Sequence, residues 1–281
     1  MFLNNMEFTK KILEKLLDES SSENKVFQRN ILKEYFQIVI LDFIYSSLDY
    51  SQLIFYGGSC LAHCFGLPRL SEDLDFVDIG KNIDNDKLLK DLKKYFIKET
   101  GIEIKATRQK FRIFLKLPIL HELSLADESE SDFLFLKLEI FSKFNFCSDY
   151  KTMIVPLFKY NKSILIKTFD LSTLMATKIM AVLHRKWEQT NKKGEITIKV
   201  KGRDYFDLMW YLDKGVKPNL SCLKEFKDIS MLKKELLKMI NKLDRKSIQL
   251  DLYALIKDEK FVKNISSNLK NILERDISEK L

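Results

Sequence analysis

Apolar residues recur at three- and four-residue spacing over Met6–Leu17 and again over Asn24–Leu48, where Ile31, Tyr35, Ile38, Val39 and Phe43 fall on one side. That period predicts two helices, with Ser20 to Ser22 as the break between them. The period then shortens. Leu53–Tyr56 and Leu74–Val77 read as strands, separated by a short helix over Cys60–Phe65 that Gly66 stops. A helix over Asp84–Lys98 would bury Leu88, Leu89, Leu92, Tyr95 and Phe96. Strands are expected at Ile102–Thr107 and Phe111–Leu117 around a turn at Gln109-Lys110, followed by an acidic loop over Ala126–Asp132. In Phe133–Phe141 the alternation is strict: Leu134, Leu136, Leu138 and Ile140 share one face, with Lys137 and Glu139 on the other. Thr152–Val155 and Ile164–Thr168 close this β-rich half.

From Asp170 the helical period returns. Asp170 is placed to cap a helix over Leu171–Arg185 whose apolar stripe is Leu171, Leu174, Met175, Ile179 and Val182. Lys178 falls inside that stripe, where a lysine either snorkels outward or reaches an anion. A basic connection, Lys186–Lys201, holds a short strand at Ile196–Val200 and leads to a helix over Arg203–Leu212. Tyr205, Leu208, Met209 and Leu212 form its expected core face, Arg203 and Asp207 an i,i+4 ion pair opposite, and Asp204 the border. Further lysine-rich helices run from Leu220 to Leu281. The shift near residue 169 divides the chain into 1–168 and 169–281.

Composition narrows the class. The 281 residues are 46% hydrophobic and 31% charged, with only 8 Gly and 4 Pro, which suits a soluble chain with a sizeable core. A net charge of +8 favours an acidic partner, nucleic acid being the commonest, against the plainer reading of a lysine-solubilised surface. Cys60, Cys64, Cys147 and Cys222 contain no CxxC pair, so neither a zinc ribbon nor a disulfide framework is expected. Cys60 and Cys64, with His63 between them, read as core thiols. The N-terminus lacks a charged segment followed by an apolar run, and the longest apolar stretch, Ile38 to Ile44, is broken by Asp42. A cytoplasmic protein without a membrane span is expected.

The chemistry concentrates in Phe55-Tyr56-Gly57-Gly58-Ser59 and in Ser71-Glu72-Asp73-Leu74-Asp75-Phe76. Adjacent glycines let backbone N–H groups approach an anion, and Ser59 and the helix N-terminus are expected to face the same turn. Asp73 and Asp75 lie on one face of a strand, and two neighbouring carboxylates call for a cation between them. A phosphate cradle beside a carboxylate pair suggests a nucleoside triphosphate held with Mg²⁺. Glu139, at mid-strand in an apolar segment, needs a partner or a metal of its own.

Gly57-Gly58-Ser59, thirteen intervening residues, then Asp73-Leu74-Asp75 resembles the GG[ST]…DxD signature of polymerase β-like nucleotidyltransferases. The form Arg69-Leu70-Ser71-Glu72-Asp73-Leu74-Asp75-Phe76 is similar, more narrowly, to the AbiEii/AbiGii-type toxins of abortive-infection and type IV toxin–antitoxin systems. Met175-Ala176-Thr177-Lys178-Ile179, then Arg185, then Lys201-Gly202-Arg203-Asp204-Tyr205-Phe206-Asp207-Leu208 resembles that family's lysine helix and RDxxDL helix. The resemblance covers roughly Leu53 to Leu212. It implies an α+β fold: a mixed sheet with helices, then a helical C-terminal domain.

It also implies transfer of a nucleoside monophosphate from an NTP to an acceptor hydroxyl, assisted by two Mg²⁺ ions about 3.5–4 Å apart. Asp73 and Asp75 would bind the metal. Glu139 would be the third ligand, where Asp is common, and could help take the acceptor's proton. Gly57, Gly58 and Ser59 would hold the β,γ-phosphates, and Arg69 would be either a phosphate contact or a surface residue. Lys178 would support the departing pyrophosphate and Asp204 would be functional, whereas Glu72 would serve the turn. Some relatives extend the tRNA 3′ end and so block aminoacylation, which makes tRNA or another RNA the expected acceptor. The alternatives are a protein or small-molecule acceptor, or a non-catalytic nucleotide- or RNA-binding module. Lys192, Lys193, Lys199 and Lys201 are candidates for an RNA backbone contact, and an antitoxin is the expected partner.

Overall fold

The computed structural model describes residues 2–142, 144, 147–185, 189–190, 196–198 and 200–281. The first helices, α1 (Phe2–Ser20) and α2 (Lys25–Ser46), are separated where the periodicity breaks. Asn24 caps α2, its side-chain oxygen accepting from the backbone N–H groups of Val26 and Phe27 at 3.0 and 3.1 Å. Phe36 through Leu41 are all buried, so the middle of α2 is enclosed on every side. Then follow β1 (Ile54–Tyr56), α3 (Gly57–Phe65), β2 (Asp73–Val77) and α4 (Asn85–Thr100). Asp84 caps the start of α4, and Gly101 ends it in the left-handed conformation. The remaining strands of this region are β3 (Lys105–Gln109), β4 (Arg112–Pro118), β5 (Phe133–Phe141), β6 (Thr152–Lys159) and β7 (Lys162–Phe169).

These seven strands form one mixed sheet in the order β3-β4-β5-β2-β1-β7-β6. β5 and β2 run parallel, as do β1 and β7; β3–β4, β4–β5 and β1–β2 are antiparallel. Along β4 and β5 every second residue is buried: Ile113, Leu115 and Leu117 on one strand, Leu134, Leu136, Leu138 and Ile140 on the other. α2 packs on β5 and α4 on β3, and the rings of Phe36 and Phe96 stack at 5.9 Å between those helices. The last two strands are longer than the sequence predicts. Tyr160 and Asn161 both take positive φ, so the turn joining the strands needs only those two residues.

By contact density the chain divides into Met1–Phe144 with Met153–Thr168, and Asn145–Thr152 with Phe169–Leu281. The second unit holds α5 (Leu171–His184), a small ladder of β8 (Gln189–Thr190) and β9 (Ile196–Ile198), then α6 (Gly202–Asp213), α7 (Ile229–Ile240), α8 (Arg245–Tyr253) and α9 (Glu259–Lys280). Asp170 caps α5 by accepting from the Thr173 N–H at 3.2 Å. α9 lies against α6, α7 and α8, with Val262, Leu269, Leu273 and Ile277 in the core. Of the basic connection, Lys192, Lys193 and Lys199 lie outside the described residues.

The cysteines depart from expectation. Cys147 and Cys222, 75 residues apart, form a disulfide within the second unit. No spacing rule announces a pair this distant, because the fold and not the local sequence brings the two together. Cys60 is buried against the Thr168 hydroxyl at 3.0 Å, as a core thiol would be. Among the described residues, no helix is long and apolar enough to cross a membrane.

Candidate active site

The parallel pairing of β2 with β5 sets Asp73 opposite Lys137 and Asp75 opposite Glu139. On its other side β5 sets Glu139 opposite Arg112 of β4. Three carboxylates and two cations therefore share one face of the sheet, while Leu74, Phe76, Leu138 and Ile140 are buried on the other. The Lys137 ammonium lies 3.0 Å from both Asp73 Oδ2 and Glu139 Oε1. Arg112 Nε donates to Glu139 Oε1 at 2.7 Å. Burial works to lower the Lys137 pKa, but the neighbouring Asp73 and Glu139 carboxylates outweigh it and raise it, so the group is held charged. Lys137 and Arg112 were not anticipated as site residues. The signal was the alternation in β5, which puts Lys137 beside Glu139; which strands flank β5 is a matter of topology.

The turn after β1 meets the same face. Gly57 has φ +80°, and a Cβ on it would sit 2.4 Å from Asp75 Oδ2. Only glycine combines that backbone angle with room for the carboxylate. A Cβ on Gly58 would lie 2.8 Å from a terminal nitrogen of Arg69. Arg69 is buried, and it donates to the Leu70 carbonyl at 2.8 Å, so it is no surface arginine. α3 begins at Gly57, earlier than the sequence reading placed it, so its N-terminal N–H groups come from the Gly-Gly pair itself. Ser59 is consequently inside the first turn. It is 0% exposed, and its hydroxyl donates to the Asp73 backbone carbonyl, tying α3 to β2 where a phosphate contact was expected. Glu72 lies just before β2 and pairs with Lys33 at 3.7 Å.

The second unit holds a separate ion cluster. Lys178 Nζ on α5 is 2.8 Å from Asp204 Oδ1 and 2.7 Å from Asp207 Oδ2 on α6. Arg185 donates to Asp204 Oδ2 at 2.7 Å. The anions that Lys178 meets are thus two protein carboxylates. Burial alone would raise the Asp204 pKa; Lys178 and Arg185 overcome it and hold it at about 2. Burial pulls the neighbouring Lys201 down to about 8, helped by Arg203 and Arg185. Where an Arg203–Asp207 pair was expected, Asp207 meets Lys178 and Arg203 meets Asp251. Asp207 is 0% exposed and turned to Lys178, while Arg203 lies beside Asp251, which accepts from its backbone N–H at 2.8 Å. α6 is buried on nearly all sides, so it has no solvated polar face for an i,i+4 pair.

A family model, that of the nucleotidyl transferase AbiEii toxin of type IV toxin–antitoxin systems, matches residues 42–279. The chain belongs to the AbiEii nucleotidyltransferase toxin family. Two solved Helicobacter pylori structures resemble it. One, JHP933, is 18% identical over 89% of this chain and 94% of its own, at a TM-score of 0.49. The other, described as a candidate nucleotidyltransferase, is 16% identical over 89% and 96%, at 0.44. No curated protein matches at a significant level. The AbiEii match spans both the sheet with Asp73, Asp75 and Glu139 and the helices with Lys178 and Asp204. Membership implies an NTP substrate, nucleotidyl transfer and a cognate antitoxin.

An AbiEii nucleotidyltransferase works with a divalent metal. Among the described residues no three His, Cys, Asp or Glu side chains converge into a metal cage. Glu139 is turned to Arg112 and Lys137 instead. The donor set nevertheless fits a hard cation: carboxylate oxygens only, with the Lys137 ammonium standing between Asp73 and Glu139 where a positive charge is required.

Proposed function

We propose that this protein transfers a nucleoside monophosphate from an NTP to the 3′-hydroxyl of an RNA, with tRNA as the acceptor, in the cytoplasm, and so blocks translation and growth. The observation that carries this reading is the meeting of the Gly57 turn, Asp73, Asp75 and Glu139 on one sheet face. Asp73, Asp75 and Glu139 would hold the metal. Mg²⁺ held by them would supply charge neutralisation for an in-line displacement.

The chain's own groups supply the rest. N–H groups at the start of α3, with the Arg69 guanidinium beside Gly58, hold the β,γ-phosphates. The acceptor oxygen forms a bond to the α-phosphorus as the bond to the β-phosphate oxygen breaks, and pyrophosphate departs. The acceptor's proton passes to a Glu139 carboxylate oxygen. Ser59 acts by fixing α3 against β2. Lys178 is proposed to serve NTP use, and within its own unit Asp204 holds its ammonium in place.

Incubation with each α-³²P-labelled NTP, Mg²⁺ and total RNA or total protein tests the proposal. Label in RNA supports it. Label in protein, or NTP binding with no labelled product, opposes it.

A further inference from the structure

β2 pairs only with the Lys137–Phe141 half of β5, and Phe135, just beyond that pairing and opposite Lys116 of β4, is 48% exposed. One exposed ring is ordinary; a row of rings with cations beside them is not. The register shows its company. Phe135 lies opposite Lys116 of β4, and Lys116 lies opposite Lys105 of β3. The Lys116 ammonium is 5.4 Å from the Phe135 ring centre, and Lys105 is 5.0 Å from that of Phe133. At the other end Arg112 lies 4.7 Å from the Phe111 ring, which is itself 4.7 Å from that of Phe141. Rings and cations therefore alternate along one open face. That face runs about 20 Å along β5, at ~3.3 Å per residue, from Phe133 to Glu139.

A protein-docking surface would be apolar at its centre with charge at its rim. Here three of the four rings, Phe111, Phe133 and Phe135, each have a cation over them. Flat rings at intervals, each with a lysine or arginine beside it, match an unpaired nucleic-acid strand, whose bases stack and whose phosphates carry the charge. A duplex offers no free base faces to stack. We propose that this face binds a single-stranded RNA segment and leads its 3′ end to the carboxylates. Bases stack on Phe133 and Phe135, and each releases its lysine to the adjoining phosphate. This rests on the RNA-acceptor reading above, and adds to it where on the molecule the strand lies and that it is unpaired.

The test is equilibrium binding by fluorescence anisotropy, on the full chain without NTP or metal. A labelled single-stranded RNA of about a dozen nucleotides is compared with the same sequence as a blunt duplex. The single strand is expected to bind more tightly. Phe135→Ala should weaken it roughly tenfold, with Phe135→Trp retaining affinity. Lys116→Ala should lower the slope of log affinity against log salt by about 0.7. Thermal melts confirm that the variants fold. Unchanged affinity in Phe135→Ala, or a duplex bound as tightly as the single strand, overturns the proposal. Labelling the same RNA from α-³²P NTP separates the two claims. If Phe135→Ala binds and labels like wild type, the surface is wrong and transfer to RNA stands. If wild type binds single strands through Phe135 but labels no RNA, the surface stands and the transfer reading falls.

Discussion

At Lys178 one ammonium serves two buried carboxylates, so its loss is felt twice. Replacing it with Met leaves Asp204 and Asp207 without their shared cation in a site closed to water. Breaking such a pair costs about 3–5 kcal/mol. Lys178→Met should therefore lower the melting temperature by roughly 10 °C. An unchanged melting temperature in a calorimetric scan would show that the cluster does not hold the fold, and would leave Lys178 to NTP use alone. Lys178 was legible as an anomaly, a cation within an apolar stripe, and so was its need for an anion. That Asp207 would be one of its anions was hidden, because helical spacing pairs Asp207 with Arg203 on a solvated face that α6 lacks. Asp73 and Asp75 were readable for the opposite reason: strand alternation puts them on one face of β2, as it puts Lys137 and Glu139 on one face of β5. Ser59 was misplaced because two glycines read as a turn, whereas here they are the first turn of the helix.

At the scale of elements, α3 and the loop after β5 carry measurable consequences. His63 on α3 has Nε2 2.9 Å from Gln37 Oε1, and burial lowers its pKa to about 4. The unfolded chain, with histidine at its ordinary value near 6.5, therefore takes up this proton first. Stability from this residue is full above about pH 6.5 and is lost as pH falls towards 4. Denaturant unfolding at stepped pH should show that decline, and His63→Gln should remove it; an identical pH profile in the variant would contradict the assignment. In the other unit the Cys147–Cys222 disulfide closes a 75-residue span. By loop entropy it stabilises the fold by about 4.5 kcal/mol. Reductant should lower the melting temperature, Cys222→Ser should do the same, and reductant should then have no further effect. A wild-type melt indifferent to reductant would show that the bond contributes nothing. The elements themselves were largely legible from periodicity. Their lengths in β6 and β7 were not, because the polar run Lys159-Tyr160-Asn161-Lys162-Ser163 reads as a loop although the turn takes only two residues.

At the scale of the whole molecule, the AbiEii match runs through both units, so the sheet and the helices belong to one family pattern. Strand order is what periodicity could not supply. The pairing of β2 with β5, more than 50 residues downstream, makes a three-carboxylate face out of two separate motifs. The same pairing brings Lys137 to that face, the pairing of β4 with β5 brings Arg112, and β4 and β3 extend it with rings and lysines. The central claim is that these carboxylates drive nucleotidyl transfer. It is tested most directly by measuring transfer of α-³²P label from NTP to RNA by wild type, Asp73→Asn and Asp75→Asn, with circular dichroism on each. The account predicts label in RNA for wild type and a loss of at least ~10³-fold in either variant, with the fold intact. A folded Asp73→Asn or Asp75→Asn protein that labels RNA at the wild-type rate would contradict it.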